Sequence, residues 1–376
     1  MNILVVSNYQ LYQDPPSSFV HQLSDACARL GHRVRVVILT ALGKTDCFGR
    51  KVNYPCRVDK WDAVELVHVS YLSLSNLGDG GFNKKSAVRS VLWNRNQVLG
   101  DFRPDIIHAH SLTTSTAVGI ALKEKLGIPL VITTHGSDTA RVMARGEGHL
   151  LKAMCDRADY LTAVSNPLRD LLKSCGTPTP ITTIHNGFVP RIPETEEKDP
   201  YSIIQVGHLI KSKHFDSTIR AFAALKPQYP QLKLTLVGKG VLRQELEDLC
   251  KELGVSDSVE FTGQIPNSEV FSRMCRASYF VMASKPEGFG IVYLEAMAAG
   301  CLTIGTRDQG IADILAHNRN GCLVEAGDHE AIAEILASSL EHPDKAREIA
   351  RNGQALARTM TWEKAAKGYL SLFETL

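Results

Sequence analysis

The chain has 376 residues, of which 44% are hydrophobic and 22% charged, with a formal net charge of +2. That length exceeds what one hydrophobic core usually supports, so two domains are expected, and the composition excludes a disordered chain or a coiled coil. No run approaches the roughly 18 consecutive apolar residues of a membrane-spanning helix.

In chain order, short β-branched runs alternate with helical patterns. The start, Met1 to Tyr9, reads as a strand rather than a signal peptide. Strands are expected at Ile3–Ser7, Val34–Leu39, Glu65–Val69, Asp105–Ala109, Leu130–Thr134, Tyr160–Val164 and Ile181–Ile184. Val20–Leu30 and Thr113–Leu126 carry apolar residues at helical spacing, and Gly31 and Gly127 mark their stops. The segment Val189–Pro200 holds three prolines and a charge cluster without periodicity, which is the texture of a linker. Alternation resumes with Ser202–Val206, Leu232–Val237, Val259–Phe261, Tyr279–Met282, Leu302–Ile304 and Cys322–Val324. A last amphipathic helix presents Trp362, Ala366, Tyr369 and Phe373.

Strands alternating with helices imply βαβ units and parallel sheets. The expected architecture is α/β: two Rossmann-like, doubly wound domains facing a cleft. The boundaries read 1–188 for the first, 189–200 for the linker, 201–358 for the second, and 359–376 for a terminal helix returning to the first. Loops that follow strands are where ligands should bind.

The richest segment is Lys285-Pro286-Glu287-Gly288-Phe289-Gly290-Ile291-Val292-Tyr293-Leu294-Glu295-Ala296-Met297-Ala298-Ala299-Gly300. It predicts a strand end near Ala283, a Gly-rich turn and a helix opening around Phe289. Free N–H groups and the positive end of that helix suit a phosphate or a polyhydroxyl ligand. Glu287 lies in the turn and Glu295 about 7–8 Å further along at about 1.5 Å per residue, a span fit for gripping two ends of one extended ligand. A helix start with an acidic first turn and a surface glutamate would account for the same residues taken alone.

These residues do not stand alone. Glu287 and Glu295, seven residues apart, resemble the signature of the retaining glycosyltransferases of family 4, in a frame close to E-G-F-G-x-x-x-x-E-A-M-A. Thr134-His135-Gly136-Ser137-Asp138 is similar to the family's H-G-x-D loop. Ala163-Val164-Ser165 and Ile184-His185-Asn186-Gly187 are similar to its segments before the linker, and Val206-Gly207-His208-Leu209 with Lys213 to its G-R-L-x-x-x-K element.

The resemblance implies the GT-B fold and a role for each matched residue. Glu295 would hold the ribose of a nucleotide-sugar donor and Glu287 the hydroxyls of its sugar. Lys213 would neutralise the diphosphate, with Gly207, His208 and the backbone of Gly288, Phe289, Gly290 and Ile291 completing the donor site. His135 would face the donor sugar. Retention would proceed by attack of the acceptor hydroxyl on the side the phosphate leaves, the phosphate oxygen taking the proton, so Glu287 is read as a positioning group rather than a nucleophile.

Elementary chemistry runs the same way. Cleaving a bond to a diphosphate requires compensation of the charge on the departing phosphate, by a metal or by fixed cations and helix ends. No D-x-D pair occurs, so no metal and no cofactor are expected, and the nucleotide-sugar is a substrate. Two departures stand out. His208 occupies the place of a permanently charged arginine and would add a pH-sensitive share. The first loop, Asp14-Pro15-Pro16-Ser17-Ser18-Phe19, lacks glycines and leaves Ser17 and Ser18 as its phosphate contacts. Lys211 is a second cation of the same loop as Lys213.

The expected enzyme is a metal-independent hexosyltransferase using a UDP-sugar in preference to a GDP-sugar. Its acceptor would be a sugar or lipid-linked oligosaccharide, in bacterial cell-surface polysaccharide synthesis. A nucleotide-sugar epimerase and a non-catalytic two-domain binding protein are the competing readings. Nine scattered cysteines without a C-x-x-C pair point to reduced thiols and the cytoplasm. Residues 1–190 carry 21 Lys+Arg against 15 Asp+Glu. Within them Lys84, Lys85, Arg89 and Arg95 flank Trp93, either as a solvated helix face or as a contact with anionic lipid at the inner membrane face. Nucleic acid is not expected as a partner.

Overall fold

The computed structural model describes residues 1–8, 19–42, 56–73, 81–136, 139, 142–143, 146–190 and 197–376. The chain forms two compact units, Met1–Gly187 with Trp362–Leu376, and Phe188–Thr361.

The first unit is built on an eight-stranded sheet. Its strands are β1 (Asn2–Ser7), β2 (Arg33–Leu42), β3 (Cys56–Trp61), β4 (Val64–Leu72), β5 (Ile106–His110), β6 (Leu130–Thr134), β7 (Tyr160–Ala163) and β8 (Ile181–Thr183). Their order is β3-β4-β2-β1-β5-β6-β7-β8, parallel except for β3 against β4. The inner strands are buried on both faces, as continuous apolar runs require: Ile3 to Val6, Ile106, Ile107 and Leu130 to Ile132 are all sealed from solvent. Among the described residues β3 pairs only with β4 and is largely exposed, which is why its sequence Cys-Arg-Val-Asp-Lys-Trp carries no strand signal strong enough to read.

The helix Thr114–Leu126 stops where expected. Gly127 takes the left-handed φ of 70° and its N–H donates to the Lys123 carbonyl at 2.8 Å. The terminal helix Trp362–Phe373 belongs to this unit, burying Trp362, Tyr369 and Phe373 and packing on Phe19–Arg29.

The second unit holds β9 (Asp199–Val206), β10 (Lys233–Val237), β11 (Val259–Gly263), β12 (Ala277–Val281), β13 (Leu302–Thr306) and β14 (Cys322–Val324). The order β11-β10-β9-β12-β13-β14 is parallel throughout. The chain is tied down as it enters. Lys198 Nζ donates to the carbonyls of Met274, Cys275 and Ala277 at 3.2, 3.1 and 2.6 Å, covering the open end of the helix Asn267–Arg276. β9 thus starts at Asp199, inside the segment whose composition reads as linker. At the other end Phe188 N–H donates to Met360 O at 3.1 Å.

Strand order reverses between β1 and β5 in the first sheet and between β9 and β12 in the second. At such a switch point the crossovers leave in opposite directions, and a crevice opens at the carboxyl ends of the strands.

Two histidines of β5, His108 and His110, lie in the first unit's core, where burial pushes the His110 imidazole down to about 3. The unfolded chain titrates near 6.5, so between those values it binds more protons than the folded chain. Stability from keeping His110 neutral is complete above pH 6.5 and is lost as pH falls below it, at about 1.4 kcal/mol per pH unit. Trp61, Trp93 and Trp362 all belong to this unit. Urea unfolding followed by tryptophan fluorescence should show a shallower acid slope for His110→Phe between pH 6 and 4.5; identical slopes would place the acid sensitivity elsewhere.

Candidate active site

The loops leaving the β9/β12 switch point are locked together by backbone bonds and by one ion pair. After β9 the chain turns through Gly207, His208 and the short turn Lys211–Lys213. Lys285 N–H, in the loop after β12, donates to Ser212 O at 2.8 Å. Gln205 is fully buried in β9 and its Nε2 donates to Lys213 O at 2.8 Å, fixing the turn that carries the lysine. Lys213 Nζ and Glu287 Oε2 form a direct ion pair, with side chains 20% and 13% exposed. Such partial burial weakens solvent screening and makes the pair worth more than a surface one.

Glu287 has further partners. Ser284 Oγ donates to the same carboxylate oxygen at 3.1 Å, and the Glu287 N–H donates to Gln309 Oε1 at 2.8 Å. Ser284 is buried, its carbonyl accepting from Thr306 Oγ1 at 2.9 Å. The carboxylate therefore sits in a polar cradle of hydroxyl and ammonium donors, the arrangement of an anchored positioning group.

The helix after this turn spans Ile291–Ala298, opening two residues later than the sequence pattern suggests. The reason is Gly290, which caps it at φ 77°. A Cβ there would lie 2.6 Å from the Tyr293 ring, so only glycine fits. Tyr293 is held in turn by its hydroxyl, which donates to Met282 O at 2.6 Å. Gly288 and Gly290 remain partly open to solvent, Phe289 is buried beneath them, and Ile291 starts the helix. Glu295 follows as the fifth helical residue, half-buried. The structure thus gathers Gly207, Lys213, Glu287 to Ile291 and Glu295 on the loops and first helix of one switch point. His208 is there too, its side chain exposed.

In the first unit His135 follows β6, and β5 runs beside that strand with His110 paired to Thr133. His110 Nδ1 and His135 Nε2 are 3.0 Å apart, their rings nearly parallel with centroids 5.3 Å apart. Phe19 packs against the His135 ring at 4.2 Å between centroids and lies 6.4 Å from His110. Burial among apolar and aromatic groups holds His135 well below the ordinary histidine range, the neighbouring His110 adding to the effect, so the imidazole is neutral at pH 7. Ser17 and Ser18 lie outside the described residues, as do Ser137 and Asp138 of the loop after His135.

Sequence reading missed Gln205, Ser284, Gln309, Tyr293 and His110. None is a matched position of a motif, and their roles follow from contacts made in the folded chain. The one signal available was the polar residue in an otherwise apolar strand, as at Gln205 and His110.

Two family models cover the chain in succession. Residues 17–191 match "Glycosyltransferase Family 4" and residues 190–356 match "Glycosyl transferases group 1". The chain is 30% identical over 288 residues to N-acetyl-alpha-D-glucosaminyl L-malate synthase of Bacillus anthracis, covering 72% of this chain and 74% of that one. Among solved structures it is similar to sucrose-phosphate synthase from Thermosynechococcus elongatus, with a TM-score of 0.77 at 21% identity, covering 100% and 98% of the two chains. It is similar also to Anabaena HepE in complex with UDP-glucose, with a TM-score of 0.75 at 20% identity and both chains covered in full. The fold is GT-B, and the chain belongs to the family 4 glycosyltransferases, enzymes that transfer a sugar from a nucleotide-sugar to an acceptor.

Proposed function

We propose that this glycosyltransferase is a retaining, metal-independent hexosyltransferase that uses a UDP-sugar and glycosylates a hydroxyl of a sugar or lipid-linked acceptor. The observation that carries the proposal is the Lys213–Glu287 pair beside a glycine-capped helix start. A fixed ammonium and a row of backbone N–H groups supply the charge compensation that a departing diphosphate demands. In this reading Glu295, one turn into the helix, accepts hydrogen bonds from ribose hydroxyls. Glu287 accepts from hydroxyls of the donor sugar.

In this reading the sugar–phosphate bond breaks as the acceptor hydroxyl approaches on the same face. The new glycosidic bond forms there, and the hydroxyl proton passes to the phosphate oxygen that leaves. Glu287 makes no covalent bond, in keeping with a carboxylate already engaged by Lys213 and Ser284. Neutral His135 contributes a hydrogen bond at the donor sugar. UDP is favoured over GDP, a choice the complex of HepE with UDP-glucose supports.

The acceptor side is inferred from the helix Gly81–Trp93. Trp93 is 81% and Phe82 45% exposed. Lys84, Lys85 and Arg89 join Val88, Leu92 and Trp93 around a groove of about 640 Å³. Basic and aromatic side chains together suit an anionic lipid surface, which supports a reading in which the enzyme works at the cytoplasmic face of a membrane and in cell-surface polysaccharide synthesis.

The test is calorimetric titration with UDP and GDP in a chelator. Wild type should bind UDP more tightly than GDP, and Glu295→Ala should lose roughly ten- to a hundredfold in affinity, the worth of one or two hydrogen bonds to a carboxylate. Anomeric proton couplings of the product should match those of the donor. Failure of both nucleotides to bind, or an inverted product, would overturn the proposal. His208 carries a second prediction: His208→Arg, which puts a permanent charge beside the diphosphate, should tighten UDP binding, and His208→Ala should weaken it. Unchanged affinity in both variants would remove His208 from the donor site.

A further inference from the structure

Three cations of the helix Gly81–Trp93, namely Lys84, Lys85 and Arg89, have no carboxylate partner among the described residues. The chain carries no acidic residue from Gly81 to Gly100. Elsewhere in the same unit Lys123, Lys152 and Arg157 are each paired with an aspartate or glutamate. Lys84 Nζ lies 3.6 Å from Met154 Sδ, a neutral sulfur that leaves its charge uncompensated.

Helical spacing sorts the side chains of this helix into rows, because residues four apart lie one above another. Asn83, Ala87 and Val91 form the buried row. Ser90 ties the helix to β4, its hydroxyl donating to Ser70 O at 2.6 Å. Lys84, Val88 and Leu92 form a half-buried row, and Lys85, Arg89 and Trp93 an exposed one. Both of these rows start on a cation and end on an apolar side chain, about 12 Å further along the helix. Together they line the groove of about 640 Å³, which Ala117 borders as well. Ala117 lies in the first turn of the helix Thr114–Leu126, which leaves β5 beside the switch point of the first sheet. The groove therefore reaches the edge at which that crevice opens.

A groove that is cationic at one end and apolar at the other has the polarity of an amphiphile with an anionic head and a single chain. A flat bilayer would meet the exposed row, whereas Lys84, Val88 and Leu92 are set back from the surface. We propose that the groove binds one lipid phosphate, the head held by Lys84, Lys85 and Arg89 and the chain laid along Val88, Leu92 and the indole of Trp93. The inference deepens the transferase reading by naming the acceptor as a sugar carried on a lipid phosphate, and it rests on that reading for what the lipid carries but not for the binding itself.

The probe is dodecyl phosphate, kept below its critical micelle concentration and titrated into the full chain by calorimetry and tryptophan fluorescence. Wild type should bind one molecule per chain, with a blue shift that disappears in Trp93→Phe. The triple variant Lys84→Gln, Lys85→Gln, Arg89→Gln should bind at least about tenfold more weakly, since each cation near a lipid phosphate is worth about fivefold. Val88→Asp, which leaves the three cations in place, should lose at least about tenfold as well. Unchanged thermal unfolding midpoints would show that the variants are folded. Inorganic phosphate and dodecyl maltoside, a head without a chain and a chain without a charge, should each bind at least about tenfold more weakly than dodecyl phosphate. Absence of binding, equal binding of the neutral amphiphile, or full affinity in the triple variant would overturn the proposal. Binding to phosphatidylglycerol vesicles with none to monomeric dodecyl phosphate would overturn it too, in favour of a bilayer surface. If wild type binds dodecyl phosphate yet transfers no sugar, the groove stands and the transferase reading falls.

Discussion

A parallel sheet sends the carboxyl ends of all its strands to one edge, and the chain must leave each strand there before a helix carries it back. That constraint decides where chemistry can be placed in this molecule. The proposed site follows from it: Lys213 lies in the turn after β9, Glu287 in the loop after β12, Glu295 on the helix that this loop opens, and His135 just after β6. Reversal of strand order beside β9 then opens the crevice in which Lys213 meets Glu287, residues 74 apart in sequence.

The motif residues are held by others that carry no motif. Gln205 fixes the lysine turn, Ser284 and Gln309 hold Glu287 by side chain and by backbone, and Tyr293 excludes any residue but glycine at 290. This support matters because a charged pair is useful only if it does not relax away from its ligand. Electrostatic compensation costs least when the groups are already in place before the charge develops.

Much of the architecture was legible because two-sided burial writes continuous apolar runs into the sequence, as in Leu4–Val6 and Leu130–Ile132. β3 escaped, being an exposed edge strand whose order comes from pairing with β4 rather than from its own pattern. The start of the helix at Ile291 escaped because it is set by the Tyr293 ring against Gly290, a contact periodicity cannot report. The segment before β9 read as linker through Val189–Pro200, yet the amine of Lys198 is pinned under three carbonyls. Glu287, Glu295 and Lys213 could be named from spacing and resemblance. His110 could not, since nothing in the chain shows that β5 and β6 are neighbours in the register that brings His110 to His135.

In the proposed mechanism Glu287 has two opposing effects. Its carboxylate holds the donor sugar, and while the site is empty it occupies the ammonium that the diphosphate needs. Removing its charge without changing its shape should therefore help the nucleotide and harm the reaction. The decisive measurement is UDP affinity and transfer rate of Glu287→Gln beside wild type, without metal. The account predicts about three- to tenfold tighter UDP binding, from relief of like-charge repulsion, together with transfer at least about tenfold slower. Unchanged or weaker UDP binding with transfer intact would contradict it.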